Sequence, residues 1–325
     1  MNIDQIRRKR LVGILDAIGL GEDCEYREDS AFTAVLDRQL EHVKTTMYEK
    51  RYPELRARQL IPVSHEADPG DETITYQMWD YFGMAVIISN MADDLPLVDA
   101  LAEKKTSGVV SMGSAYQYSI QDLRRAAKSG VPLTTRKAAI TRRVVEYRIE
   151  DIAAFGDEDN ELLGMTNHPN VAIYPPTTGN WASATGMQIA QDLLNWLAAI
   201  VNANKQTFIP DTIAIDITSY NRLATKPTST TGDGTYTALR YFREVTPYPV
   251  EIIPWNKLAL ANSAGNGPRA VAYMRNPEVL TLEIPQEYEQ MDPQAKNLAY
   301  VVNTHARCGG VIVYYPIAMG YMDGI

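Results

Sequence analysis

The sequence predicts a mixed α+β fold, and three observations predict it. Apolar residues recur at helical spacing near the N-terminus and again in a long segment after Pro132. From Glu72, apolar and polar side chains alternate with a period of two, as they do on a strand with two different faces. From Thr185 to Met274, helical and strand-like runs take turns, the pattern of a compact α/β unit. With 325 residues and 45% hydrophobic content, the chain can bury a sizeable core, and its length suits about two domains.

Taken in order, Leu11, Ile14, Leu15 and Ile18 define a first helical face that ends at Gly19. Arg7, Arg8, Lys9 and Arg10 precede it and read as a solvated helix start, because the chain as a whole is acidic. A second helix fits Phe32 to Tyr48, with Leu36, Leu40, Val43 and Met47 on one side, and stops before Pro53. Pro69, Gly70 and Asp71 signal a turn. They open the run Glu72–Ser89, in which Ile74, Tyr76 and Met78 alternate with Thr73, Thr75 and Gln77. Asn90–Gly108 reads as a polar loop and Val109–Ser119 as a second strand, so the two runs are expected to form an extended hairpin. An isolated hairpin is marginal in water, so this one should lie on something.

From Pro132 the pattern is helical to about Phe155 and Gly156, with Ala138, Val145, Ile149 and Ile152 on one stripe. Arg136, Lys137, Arg142, Arg143 and Arg148 fall mostly off that stripe and read, with Glu146 and Glu150, as a solvated charged face. After Pro169, Pro175 and Pro176, Thr185 and Gln188 have the spacing of a capping box. The helix that follows should face its core with Ala190, Leu193, Leu194, Leu197, Ala198 and Val201. Thr212–Ile217 reads as a buried strand and Thr225–Thr237 as a polar loop. Val250–Ile253, Ala270–Met274, Val279–Ile284, Ala299–His305 and Gly310–Tyr315 read as further strands.

The composition argues against several functions. A formal net charge of −9 opposes a dedicated nucleic-acid binder, which needs an excess of Lys and Arg. Two distant cysteines, Cys24 and Cys308, make no disulfide framework and fit a reducing compartment. No apolar run reaches the roughly twenty residues of a membrane span, and the N-terminal residues have no signal-peptide pattern, so assembly in the cytoplasm is expected. Ser111 and Ser114 both miss a nucleophile-elbow frame, and no Gly-rich run ends in Gly-Lys-Ser or Gly-Lys-Thr. Gly265 and Gly267 begin a G-x-G-x-x-A string, but Pro268 follows and the next run is strand-like, so a turn is expected there and not a dinucleotide site. Of His42, His65, His168 and His305, only His305 has a cysteine nearby, Cys308, and a zinc site needs a second pair. Asp157, Glu158, Asp159 and Glu161 lack the ligand alternation of a calcium loop. The residues therefore offer no catalytic, cofactor-binding or metal candidate.

Several strings do carry a resemblance: RYPELRARQLIPVS (51–64), ETITYQMWDYFGMA (72–85), YQYSIQDLRRAAKSGVPL (116–133), PEVLTLEIPQEYEQ (277–290) and HARCGGVIVYYPIAMGYMDGI (305–325). In number and order they resemble a tailed-bacteriophage major capsid family of the Hong Kong 97 fold, from about Phe32 to the C-terminus. The resemblance implies an N-terminal arm (1–56), an extended hairpin loop (57–115), a peripheral domain with a spine helix (116–184 and 276–325) and an axial domain (185–275). It implies a non-enzymatic shell subunit without cofactor, located in the virion capsid. Its partners would be itself in pentameric and hexameric capsomers, a portal protein, scaffolding or decoration proteins, and packaged double-stranded DNA held non-specifically, with no membrane. An acidic surface suits a shell to which DNA must not stick.

Trp79, Tyr81 and Phe82 lie on the implied loop and are the inter-subunit contact candidates, since aromatics are enriched at interfaces; the alternative is packing within their own subunit. Some capsids of this fold bond a loop Lys to a neighbour's Asn. Lys104 and Lys105 lie in the corresponding region, but no motif places the Asn or an assisting carboxylate, and solvated lysines are the ordinary expectation. Three further readings remain at this stage: an encapsulin-type compartment with the same fold, a soluble α/β enzyme with an unrecognised carboxylate site, and another virion component such as a tail or connector protein.

Overall fold

The computed structural model describes residues 52–84, 97–129, 133–228, 236–265 and 267–325. The two expected N-terminal helices, the basic run at Arg7, the end of the first strand run beyond Met84 and most of the polar loop after Thr225 lie outside the described residues.

The short helix α1 (Ala57–Leu60) leads into β1 (Val63–Ser64) and then β2 (Thr73–Phe82), the strand foreseen from its alternation. Its partner corrects the expected hairpin. β2 pairs antiparallel with β3 (Asp99–Gly108), with Thr73 opposite Gly108 and Phe82 opposite Asp99, and not with Val109–Ser119. β3 reads DALAEKKTSG and is exposed over most of its length, so it buries no face and shows no apolar alternation. A sequence reading therefore takes it for loop. β4 (Val110–Ser119) does alternate, with Met112, Ser114, Tyr116 and Tyr118 turned inward. Its partner is β12 (Ala299–Cys308), paired from Val110–Cys308 to Ser119–Ala299.

After β4 come α2 (Ile120–Ser129) and the long helix α3 (Leu133–Phe155). Val145, Ile149 and Ile152 are buried, as the stripe predicts. Gly156 ends α3 with a φ of +72°, and a Cβ there would lie 2.1 Å from the Leu162 carbonyl oxygen, so only glycine fits. Glu150 departs from the expected solvated face and is 3% exposed. Its carboxylate accepts from the backbone amides of Arg56 at 3.0 Å and Ala57 at 2.8 Å, and from Trp255 Nε1 at 2.6 Å. The start of α1, which has no side-chain cap of its own, is thus capped from 94 residues away. Glu146 is also engaged: Arg58 Nε donates to it at 3.1 Å while Arg58 Nη1 reaches Glu287 at 2.7 Å. That hydrogen bond holds the Glu287 carboxyl below the usual range.

The next region is organised by α4 (Gly186–Ala203), whose Thr185–Gln188 capping box forms as expected. Its buried face is Ile189, Leu193, Trp196, Leu197 and Ile200; Ala198 is exposed and Leu194 only half-buried, a departure from the predicted stripe. The strand expected over Thr212–Ile217 is shorter, β6 (Thr212–Ile215). It stops because the Asp216 carboxylate accepts from the Thr218 and Ser219 amides and starts α5 (Ile217–Thr225). α6 (Ala238–Val245) packs beside α4 and α5. The Gly265 turn leads into a strand, β8 (Arg269–Tyr273), as predicted.

A five-stranded sheet has the order β5 (Ala172–Ile173), β14 (Gly320–Asp323), β8, β6, β7 (Glu251–Pro254). It includes the C-terminal strand and residues 172–173, both beyond the 185–275 limits implied for an axial domain. The sheet separates two cores. Ala214, Ile253, Val271, Tyr273 and Tyr321 face the core of α1 and α3; Ile213, Ile215, Ile252, Ala270, Ala272 and Met322 face the core of α4, α5 and α6. Both faces are buried, which is why these strands read as continuous apolar runs. A second sheet orders β1, β9 (Leu280–Glu283) and β13 (Gly310–Val313). In a third, β12 carries β10 (Gln286–Gln290) and β11 (Gln294–Lys296) on the edge opposite β4.

The C-terminal strand is fixed by Arg269, 4% exposed, whose Nε and Nη2 donate to the two Asp323 oxygens at 2.6 and 2.7 Å. The same guanidinium donates to the Thr166 carbonyl and lies 4.4 Å from the Tyr321 ring centroid. Burial alone would raise the Asp323 pKa, but the hydrogen bonds from Arg269 and Ser263 outweigh it and hold the group below its ordinary 3.8.

Two outcomes follow. Glu150→Ala strands three donors, two of them buried, and should lower the stability of the unassembled subunit by about 3 kcal/mol in denaturant unfolding, with Trp255→Phe costing about 1 kcal/mol; equal midpoints for Glu150→Ala and wild type would refute the role. Because the folded Asp323 pKa is depressed, its contribution is present above 3.8 and is lost as pH falls through the lowered value. Asp323→Asn should therefore lose stability at neutral pH and show a shallower decline with acid.

Candidate assembly surface

The aromatic candidates stand on β2 with their side chains in solvent. Trp79, Tyr81 and Phe82 are 57%, 75% and 52% exposed. Register explains why. Trp79 lies opposite Ala102 and Tyr81 opposite Ala100, so small partners leave both rings uncovered. Leu101 on β3, with Met84 just after β2 and Leu97 and Val98 just before β3, extends the exposed apolar surface; the sequence reading passed over Leu97, Val98 and Leu101 because they sit in the stretch assigned to loop.

At the hairpin base the situation reverses. Tyr76 meets Tyr314 edge to face at a centroid distance of 5.0 Å, and burial pushes both phenol pKa values up. Beside this contact runs an open groove of about 1010 Å³ lined by Trp79, Tyr81, His65, Phe208, Pro277 and Tyr315, among others. The hairpin is thus anchored at one end and uncovered at the other. Lys104 is exposed opposite Gln77; Lys105, opposite Tyr76, is half-buried. Burial first, and the Lys105 charge second, lower the His168 pKa.

A second exposed surface lies on α3. Ile140 and Val144 are 63% and 54% exposed, one turn apart, with exposed Arg136 and Arg143 on the same helical face. Their spacing was visible in the sequence, but it lay off the stripe that marks the core.

Among the described residues no group of His, Cys, Asp and Glu could hold a metal ion, and no helix is long and apolar enough to cross a membrane. Cys308 is sealed in the core, where burial pushes its thiol up to about 11, far from a thiolate ligand or nucleophile. Ser64 and His65 also line the groove, where His65 Nδ1 lies 2.8 Å from the Ile284 carbonyl and its Nε2 3.8 Å from Glu287. What this surface can do is bury apolar area against another chain.

An α+β fold of this kind, with uncovered apolar ribbon and helix faces, defines a self-associating structural subunit. Solved structures share it. The capsid of Myoviridae phage XM1 matches with a TM-score of 0.78 at 18% identity, covering 94% of this chain and 100% of that one. The structure from Microbacterium phage Oxtober96 matches at 0.64 and 9% identity over 90% and 97%, and that from Mycobacterium phage Bobi at 0.62 and 12% over 90% and 97%. A family profile described as major capsid protein matches residues 83–325, and the chain belongs to that family. No curated protein sequence matches it. The protein is a structural, non-enzymatic phage capsid subunit located in the virion capsid, and it assembles with copies of itself.

Replacing Trp79 and Tyr81 together by Ser should leave the far-UV circular dichroism and thermal midpoint of the subunit unchanged and lower the fraction that sediments as assemblies. A large loss of stability instead would mean that the rings pack within their own subunit.

Proposed function

We propose that the chain builds an icosahedral head around double-stranded DNA through pentameric and hexameric capsomers, and that it meets a portal protein and scaffolding or decoration proteins during assembly. The observation that carries this reading is the β2–β3 hairpin, anchored at Tyr76 and uncovered from Trp79 onward. Such a ribbon gives each subunit a long contact arm. Many modest contacts repeated under closed symmetry suffice to hold a shell. In this reading residues 1–56 form an arm, the hairpin is the extended loop, α3 is the spine of the peripheral domain, and the α4–α6 region is the axial domain nearest the capsomer centre. DNA is held without sequence readout, in keeping with a chain of net charge −9.

Negative-stain electron microscopy of the protein expressed alone is expected to show closed shells or five- and six-fold capsomers. Uniform small particles that never associate would contradict the proposal. Particles from infected cells are expected to hold DNA; shells filled with protein cargo would point to an encapsulin-type compartment. On denaturation those particles should give one subunit mass, whereas a ladder would show a crosslink between subunits, for which Lys104 and Lys105 are the candidates.

A further inference from the structure

The groove beside the hairpin base carries a chemistry of its own. Two aromatic pairs flank it: Tyr76 with Tyr314, and Phe208 with Tyr315, whose ring centroids also lie 5.0 Å apart. Tyr314 is held from behind. The Thr281 hydroxyl donates to the buried Glu283 carboxylate at 2.7 Å, so the Tyr314 hydroxyl, 3.1 Å from Thr281 Oγ1, donates to Thr281 in turn. Both O–H dipoles point toward the carboxylate, and the Tyr314 oxygen has only lone pairs left to offer. His65 is set in the same sense. Its Nδ1 lies 2.8 Å from the Ile284 carbonyl, which can only accept, so the proton belongs on Nδ1 and the neutral ring presents Nε2 as an acceptor. Glu66 and Glu278 stand exposed among the lining residues, and none of the described lining residues is Lys or Arg.

Acceptors around aromatic faces suit a positively charged donor and repel a phosphate. A guanidinium fits them best, because it is planar, carries five N–H donors and stacks on aromatic rings. At about 1010 Å³ the groove is larger than one guanidinium needs, so the arginine comes with apolar neighbours that cover the remaining wall. Among the described residues, this chain's own exposed arginines stand on α2, α3 and α6, apart from Arg275, which lies two residues before Pro277 at the groove itself. An extended segment that carries an arginine therefore comes from another protein.

We propose that the groove is a docking site for an arginine flanked by apolar residues on an extended segment of a second protein that takes part in assembly. The guanidinium lies against the aromatic rings and donates to Tyr314 Oη, and Glu66 and Glu278 supply the opposing charge. This rests on the reading of the chain as a subunit that meets assembly partners, and it names the chemistry by which one of them attaches.

The probe is a fluorescein-labelled pentapeptide, Gly-Leu-Arg-Leu-Gly, titrated with the unassembled full chain and read by anisotropy. A second readout is acrylamide quenching of indole fluorescence. It reports on the groove because Trp79 lines it and is exposed, whereas Trp181, Trp196 and Trp255 are buried. Saturable binding that shields Trp79 is expected. Citrulline in place of the arginine removes the charge and keeps the shape, and should weaken binding about tenfold or more. Glu66→Gln with Glu278→Gln should weaken it to a similar degree and flatten its salt dependence. Glu158→Gln with Asp159→Asn, an exposed acidic pair elsewhere, should leave it unchanged, which separates the site from general attraction to a chain of net charge −9. All four positions are exposed, and circular dichroism confirms folding in each case. Equal affinity for the citrulline peptide, equal losses from the two acid pairs, an unshielded Trp79 or the absence of saturable binding overturns the proposal. So does a Trp79 that self-association shields whether or not peptide is added, which makes a second copy the occupant. Shells that form by electron microscopy while the peptide fails to bind sink this inference and leave the capsid reading intact. A subunit that binds the peptide and never forms shells upholds the site and counts against the capsid reading instead.

Discussion

The carboxylate of Glu150 is the interaction on which the arrangement depends. A buried carboxylate is costly unless strong donors surround it. Here the amides of Arg56 and Ala57 and the indole of Trp255 supply them. One side chain thereby fixes three segments: the start of the described chain, the long helix, and the loop that follows β7. With α1 fixed, Leu60 and Ile61 fill the core beneath α3, and the Tyr273 hydroxyl donates to the Leu60 carbonyl at 2.8 Å. The strand that carries Tyr273 lies in the central sheet, so the chain entering the hairpin is tied to the sheet that divides the two cores.

The second constraint acts at the C-terminus. β14 lies between β5 and β8, so the last strand completes a sheet whose other members come from the middle of the chain. Arg269 binds Asp323 in bidentate fashion, donates to the Thr166 carbonyl and covers the Tyr321 ring, while the Tyr321 hydroxyl donates to the Met165 carbonyl at 2.7 Å. A buried guanidinium needs this degree of satisfaction. The result is a body in which both chain directions are locked. A contact arm must spring from such a body if force at its tip is to move whole subunits and not merely bend a loop.

What the sequence made legible follows from where the physical signal was local. The alternation of Ile74, Tyr76 and Met78 exposes β2, the Thr185–Gln188 spacing exposes the start of α4, and the stripe of Val145, Ile149 and Ile152 exposes α3. Each is set by neighbours within a few residues. The pairing of β3 was hidden because DALAEKKTSG buries no face and so shows no period. The partner of β4 was hidden because it arrives about 190 residues later, and strand pairing leaves no mark on either strand alone. Glu150 resembled a surface charge because Glu and Arg surround it in sequence, and its donors are 93 to 105 residues away. Trp79, Tyr81 and Phe82 were legible as candidates by residue type, but only the register, with Trp79 and Tyr81 against Ala102 and Ala100, shows why the first two are bare.

The acids on the hairpin bear on specificity as well as attraction. A free two-stranded ribbon with uncovered aromatics and open edges invites pairing with its own kind. Hairpins that met face to face would set Asp80, Asp99 and Glu103 against the same three carboxylates, and like charges directly opposed in a sheet are destabilising. Against a basic surface the same carboxylates become attractive. Discrimination is a difference between two affinities, and a repulsive element can create it without strengthening the correct contact. The alternation of apolar and acidic residues thus lets the ribbon keep the apolar area an interface needs while disfavouring ribbon-to-ribbon association. A purely apolar hairpin would bury as much surface and would lack that discrimination.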